Sequence, residues 1–147
     1  MNELLLAIGG AEIGTSEIAG KENNPRILHY THTAGLDWYQ SDGTSWCGVF
    51  MAFCLKQIPE FMRPNWPEEK AATARQWLSF GVYVPIAKAK PGDIVVFWRE
   101  SRSSWKGHVA FFVRETPAEI VCLGGNQSNK VCEKSYPKSR LLGIRRY

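Results

Sequence analysis

The stretch Asp42-Gly43-Thr44-Ser45-Trp46-Cys47-Gly48-Val49-Phe50 decides how this chain is read. A polar, glycine-containing loop runs into Ser45, a residue type favoured as an N-cap, and an apolar-periodic segment follows to Gln57. The pattern predicts a helix that carries Cys47 in its first turn. Amides without intrahelical partners, and the positive end of the helix dipole, favour a thiolate over a thiol at such a place. An unperturbed thiol titrates at about 8.5, so a nucleophilic role requires surroundings that lower this value.

Working outward, Cys47, Phe50, Met51 and Cys54 share one helix face at the i, i+3, i+4, i+7 spacing, which makes Cys54 a small buried core residue. Residues 1–19 read as an amphipathic helix with Leu5, Ile8 and Ala11 on one side, weakened by Gly14 and ended by Gly20. Asn24-Pro25 starts a second helix, with Asn24 as cap and Gly35 as stop. Beyond Pro59 and Pro64, Pro67-Glu68-Glu69 marks a further helix start, running to Phe80 and stopping at Gly81. After a connector over 82–91 the chain becomes strand-like at 93–98, 108–113, 119–123, 130–133 and 141–145. Helices first and strands afterwards, joined by short turns, predict an α+β domain with N-terminal helices packed on a C-terminal antiparallel meander. The 147 residues fit one such domain spanning 1–147.

Composition narrows the function classes. With 44% hydrophobic and 22% charged residues the chain matches ordinary soluble globular domains. No apolar run approaches the roughly 20 residues of a membrane span. The first residues carry an apolar patch at 4–8 but have Glu3 where a secretory leader is basic, so a helix is expected there and not a signal peptide. The net charge of +4 is a slight surplus, partly gathered in Lys138, Arg140, Arg145 and Arg146. It is compatible with a polyanionic partner, but no nucleic-acid-binding motif accompanies it. The four cysteines at 47, 54, 122 and 132 form no CxxC pair, which argues against a zinc ribbon or a redox motif, and they are expected reduced.

A cysteine nucleophile needs a base, and the base needs a group that orients it. His29 and His32, at i, i+3 in the second helix, read as exposed or capping residues; as a metal pair they lack a third ligand at a recognisable spacing. His108 follows Gly107 at the start of an apolar strand, where a side chain can stand at the rim of a sheet. A hairpin turning at 115–118 sets His108 opposite Asn126, in Gly124-Gly125-Asn126-Gln127. The Asn126 carbonyl would then fix the imidazole tautomer so that the other ring nitrogen faces the thiol. A second hairpin, centred on Gln127, sets Cys122 opposite Cys132, either as buried neighbours or as a cross-strand disulfide; free thiols are the preferred reading.

Taken in order, AEIGTSEIAG (11–20), NNPRILHY (23–30), DGTSWCGVF (42–50), GDIVVFW (92–98), GHVAFFV (107–113), LGGNQSNKV (123–131) and LLGIRRY (141–147) cover nearly the whole chain. This ordered set resembles the CHAP group (cysteine, histidine-dependent amidohydrolase/peptidase), papain-like peptidoglycan hydrolases of phage lysins and wall-remodelling enzymes. The resemblance implies a papain-like fold with Cys47 as nucleophile, His108 as general base and Asn126 orienting the ring. Many relatives carry a Glu two positions before the Asn. Here that position is Gly124, so the orienting role rests on Asn126, with Gln127 beside it as a second polar group for ring or substrate. Some relatives bind calcium through an acidic loop ahead of the cysteine; Asp37 and Asp42 are too sparse for one, and no metal or other cofactor is expected. Trp46, Trp98 and Trp105 would line a groove for the sugar-peptide polymer, although core packing is an equal reading for aromatic residues.

The function so implied is amide hydrolysis in bacterial peptidoglycan, as an N-acetylmuramoyl-L-alanine amidase or an endopeptidase, most simply a phage endolysin. Such a protein would be made in the cytoplasm and reach the wall after release, as a monomer without membrane insertion or nucleic-acid binding. Two other classes stay open. One is a glycosidase of the same polymer using Glu12 and Glu17, which sit at a poorly convergent i, i+5 spacing. The other is a non-catalytic wall-binding or virion domain with a papain-like fold.

Overall fold

Capping chemistry sets the first elements. The computed structural model describes residues 1–20, 22–39, 45–62 and 68–147, with backbone alone at 61, 62 and 68. Helix α1 spans Asn2–Gly10 and α2 spans Pro25–Thr33. The Asn24 side chain accepts from Arg26 N at 2.8 Å, and Pro25 occupies the first helical position, as the sequence predicts. The first helix is shorter than expected from 1–19. Past Gly10 the chain turns and pairs with a distant loop: Gly14 N donates to Val131 O, Val131 N to Thr15 O, and Ser16 bridges Lys130. Two glycines at the end of α1 propagate a helix poorly, so these long-range bonds prevail.

Helix α3 spans Cys47–Lys56. Trp46, not Ser45, holds the N-cap position, and no side chain caps the helix. The expected one-sided face is also corrected, because every residue from Cys47 to Leu55 is buried. The loop signals at Asp42, Gly43 and Thr44, together with Pro64 and the helix start at Pro67, lie outside the described residues. Downstream, the single helix expected up to Phe80 is instead two short 3₁₀ segments, Glu68–Ala72 and Ala74–Ser79, separated by an extended Thr73.

Six strands follow: β1 (Val82–Tyr83), β2 (Ile94–Trp98), β3 (Gly107–Glu115), β4 (Glu119–Gly124), β5 (Cys132–Pro137) and β6 (Leu141–Arg146). They form one antiparallel sheet in the order β1-β6-β2-β3-β4-β5. The α+β arrangement of N-terminal helices and a C-terminal antiparallel sheet is therefore the observed architecture. The run β2 to β5 is the meander, and β6 returns to pair with β2, bringing β1 from the connector to its outer edge.

The unbroken apolar runs of β2 and β3 arise because both faces of the sheet are covered. Ile94, Val96, Val109 and Phe111 join the helical core of Tyr30, Trp46, Phe50 and Trp77. Val95, Phe97, Ala110 and Phe112 pack with Ile120, Cys122 and Ile144 in a smaller core on the other side. At the start of β2 the buried Asp93 carboxylate accepts two bonds from Arg146 at 2.7 Å and one from Asn2 at 2.9 Å, tying α1 and β6 together.

Register departs from expectation at two places that matter for the site. Phe111 pairs with Leu123 and Phe112 with Cys122, as the first hairpin requires, but β4 ends at Gly124. His108 and Asn126 thus lie beyond the β3–β4 ladder and are not cross-strand neighbours. In the second hairpin Cys122 faces Lys134 and Gly124 faces Cys132, which removes the expected Cys122–Cys132 pairing. The turn residues Ser128 and Asn129, at φ 56° and 62°, move the centre of that hairpin along the chain. All four cysteines are free.

Close approach, not flexibility, explains Gly125. A Cβ there would lie 2.6 Å from Phe50 Cβ and 2.6 Å from Trp46 Cζ3, so glycine lets the end of the sheet touch the start of α3. We expect Gly125→Ala to lower stability by about 1–3 kcal/mol in urea denaturation. Gly10→Ala, where a Cβ meets nothing within 4 Å, should be neutral or stabilising by up to about 1 kcal/mol. Equal effects at the two positions would refute the close-packing account.

Candidate active site

The site is assembled where the start of α3 meets the Phe97–His108 pair of the β2–β3 hairpin and the loop between β4 and β5. Cys47 is 2% exposed and opens α3. Among the described residues, Phe50 N makes the first backbone bond of the helix, to Trp46 O at 2.9 Å. The preceding amides are the ones that give a helix start its affinity for negative charge. Tyr39 donates its hydroxyl to Ser45 O, which holds the chain just before the thiol. Burial pushes the Tyr39 pKa up to about 12, so it remains a donor at neutral pH. The Ser45 hydroxyl, expected to cap the helix, instead lies 3.6 Å from Cys47 Sγ.

Burial alone would push the Cys47 thiol up. A hydrogen bond and charge interaction with His108, a hydrogen bond with Ser45 and the Val109 amide reverse it and bring the pKa down to about 7. Cys54 and Cys122 show the opposite outcome, since burial raises both and no comparable partner opposes it. One of the cysteines is thus set apart by its neighbours, not by its exposure.

His108 is buried and is the second paired residue of β3, opposite Phe97 of β2. Its ring stacks on Tyr136 at 4.9 Å between centroids, and Tyr136 stacks in turn on Phe97. Its Nε2 lies 2.9 Å from Gln127 Oε1. The orientation of the Gln127 carboxamide follows from its other end: Nε2 donates to Cys122 O at 3.2 Å and to Cys132 O. Both of those partners are carbonyls and can only accept, so the oxygen must face the ring and His108 Nε2 must carry the proton. The Nδ1 lone pair is then the one left for the thiol.

The ring is therefore held by Gln127 and not by Asn126. Asn126 sits at φ 55°, a turn that sends its side chain away from the ring while the next residue points inward. With its amide oriented to satisfy both neighbours, Asn126 accepts from Trp46 N at 3.2 Å and donates to Glu17 at 3.3 Å. It fixes the residue before Cys47. Gln127, expected near substrate, is fully buried.

The tryptophan assignments divide. Trp46 is fully buried, with Nε1 donating to Glu17 at 2.8 Å, so it is core and not groove. Trp98 is half-buried; its Nε1 reaches Ser139 O at 3.3 Å, and its ring carries the Arg140 guanidinium at 5.3 Å. Trp105 is 73% exposed and lines a cleft of about 420 Å³ together with Cys47, Trp38 and Tyr39. A second cleft of about 520 Å³ reaches His108 from the other side, and the two share Ser45 and Arg99. Sequence reading missed Trp38 and Tyr39, although a Trp-Tyr pair in the loop ahead of the cysteine was a visible signal. It also missed Arg75, which donates to the carbonyls of Ser101, Arg102 and Lys106 and holds the loop bearing Trp105. Those partners are far along the chain and leave no local pattern.

The remaining candidates lie elsewhere. His32 pairs with Asp37 at 2.7 Å, and His29 packs edge-on against Phe53. Among the described residues no group of three or more His, Cys, Asp or Glu could hold a metal ion. Glu12 is bound by Arg26 and Tyr30. The Arg26 hydrogen bond, against burial, holds its carboxyl below the usual range, the wrong direction for a glycosidase acid. Neither Glu12 nor Glu17 is helical, because α1 ends at Gly10.

Alkylation tests this arrangement directly. The rate of Cys47 modification by iodoacetamide should rise with pH through a midpoint near 7, as the thiolate forms. His108→Ala should move that midpoint up to about 9 or above, because only Ser45 and the Val109 amide then oppose burial, and Ser45→Ala should move it less far in the same direction. Identical midpoints in wild type and His108→Ala would show that the ring does not act on the sulfur. No family model matches the chain, and comparison with curated proteins gives no match either, so the chemistry is read from this geometry.

Proposed function

We propose that the chain is a cysteine amidohydrolase or peptidase of the CHAP type that cleaves an amide bond of bacterial peptidoglycan, in the manner of a phage endolysin. The observation that carries this reading is the Cys47–His108–Gln127 relay: a thiol lowered to about 7 by an imidazole whose tautomer is fixed from behind. The ordered sequence resemblance supplies the substrate class. Among the described residues no helix is long and apolar enough to cross a membrane, consistent with action on the wall polymer and not within the bilayer.

The chemistry follows from the groups in place. His108 Nδ1 takes the thiol proton, and the thiolate attacks the amide carbonyl carbon. The oxyanion is received by the Cys47 amide at the start of α3, with the Ser45 hydroxyl beside it. The tetrahedral intermediate collapses by breaking the C–N bond, and the imidazolium gives its proton to the leaving amine. Water, deprotonated by the same nitrogen, then hydrolyses the thioester, releasing a carboxylic acid and restoring the thiol. Gln127 is a positioning residue: it touches no substrate and acts through the ring.

Purified protein should clear a suspension of bacterial cell walls. Cys47→Ala should abolish the clearing, and His108→Ala should reduce it by about 10²–10⁴-fold. Gln127→Ala should cost about ten- to a hundredfold and displace the pH profile, with partial recovery in Gln127→Glu, whereas Asn126→Ala should act mainly on thermal stability. Mass spectrometry of the products should reveal a new amine, on L-alanine for an amidase or within the cross-link for an endopeptidase. Clearing that survives Cys47→Ala would end the proposal.

A further inference from the structure

The two clefts that meet at the Cys47–His108 pair differ in charge. Arg99, Lys134 and Arg140 all line the one that reaches His108. Among the described residues none of the three pairs with a carboxylate. Lys134 Nζ donates to the neutral Ser128 Oγ at 2.9 Å, Arg140 lies over the Trp98 ring, and Arg99 makes no side-chain hydrogen bond to another described residue. The carboxylate of this cleft, Glu17, is turned toward Trp46 Nε1 and the Asn126 amide.

Outside this cleft, other cations are held by fixed acceptors: Arg75 and Arg145 donate to backbone carbonyls. Arg26, Lys106, Arg114, Lys138 and Arg146 each meet an Asp or Glu. On the Cys47 side, Glu100 and Lys106 neutralise each other at 2.5 Å, and the exposed rings of Trp38 and Trp105 dominate. Three like charges against one carboxylate that is engaged by Trp46 and Asn126 leave a positive surplus, and a bound anion offsets it. Arginine's planar fork suits a carboxylate in particular. Arg99 belongs to both clefts, which puts one of the three cations beside the reacting groups.

We propose that the His108 side of the cleft is a carboxylate subsite: Arg99, Lys134 and Arg140 bind a free carboxylate of the substrate peptide. The aromatic side, with Trp38, Tyr39 and Trp105, takes the part of the substrate beyond the scissile amide. This assignment rests on the reading of Cys47 and His108 as the hydrolytic pair for what lies between the two sides.

The test uses binding, so that it is independent of turnover. In the Cys47→Ala background, titration calorimetry compares a synthetic stem peptide carrying free carboxylates with the same peptide converted to carboxamides. The carboxylate form should bind roughly tenfold or more tightly, and added salt should narrow the difference because these cations are exposed. Combined Arg99→Gln, Lys134→Gln and Arg140→Gln substitutions should erase the preference while leaving carboxamide binding unchanged; Arg99→Lys should retain part of it. Equal binding of the two peptides, a preference for the carboxamide, no binding of either, or an equal loss for both in the triple variant would overturn the subsite. None of those results bears on hydrolysis, which the alkylation and wall-clearing experiments judge separately.

Discussion

A helix whose first nine residues are buried has little solvent to satisfy its N-terminus, and that constraint organises this protein. Nine consecutive residues of α3 are inaccessible, and no side chain caps the first turn. Such a terminus must be met from outside the helix. Here the surrounding elements supply the contacts: Tyr39 on Ser45 O, Asn126 on Trp46 N, and Gly125 pressed against Phe50 and Trp46. The cleft opens at the one end of the helix left for a charged group to approach. A negative charge forming on Cys47 therefore arises where the dipole, the His108 ring and the Ser45 hydroxyl all favour it.

Burial makes this arrangement demanding. Desolvation opposes the thiolate, as the raised Cys54 and Cys122 thiols demonstrate in the same molecule. A lowered pKa in such surroundings requires specific partners, and those partners must themselves be satisfied. Gln127 meets that requirement through three hydrogen bonds, one to the ring and two to backbone carbonyls. Because two backbone groups fix its nitrogen end, the tautomer of His108 is set by the main chain of β4 and β5. The state of the sulfur is thus coupled to sheet register, through residues distant in the chain from Cys47.

Local signals in the sequence were sufficient for much of this. The Asn24-Pro25 cap, the start of α3 at Cys47 and the strand runs of β2 to β4 each rest on contacts between near neighbours, and each is found where expected. Cys47 and His108 could be singled out for the same reason, as residues at element starts. The errors share a different cause. Whether Asn126 or Gln127 faces the ring depends on one left-handed residue and on where β4 stops. The helical extent of 1–19 was decided by bonds to residues 129–131, and Trp46 was drawn into the core by Glu17. Such choices are settled by tertiary partners and carry no periodic trace.

Backbone strain adds an independent indication of where function lies. Among the described residues, the non-glycine positions with positive φ are Glu100, Asn126, Ser128 and Asn129. Each costs about 1 kcal/mol or more relative to ordinary backbone. All four line the two clefts that converge on Cys47 and His108. A fold selected only for stability would have little reason to gather its strained residues around a single opening. The Asn126 turn shows what the strain accomplishes, since it is the step that lets adjacent side chains serve different masters: one secures the start of α3, the other the imidazole. Without that turn the thiol and the ring would be tethered to separate parts of the structure. With it, a single loop holds both in one register.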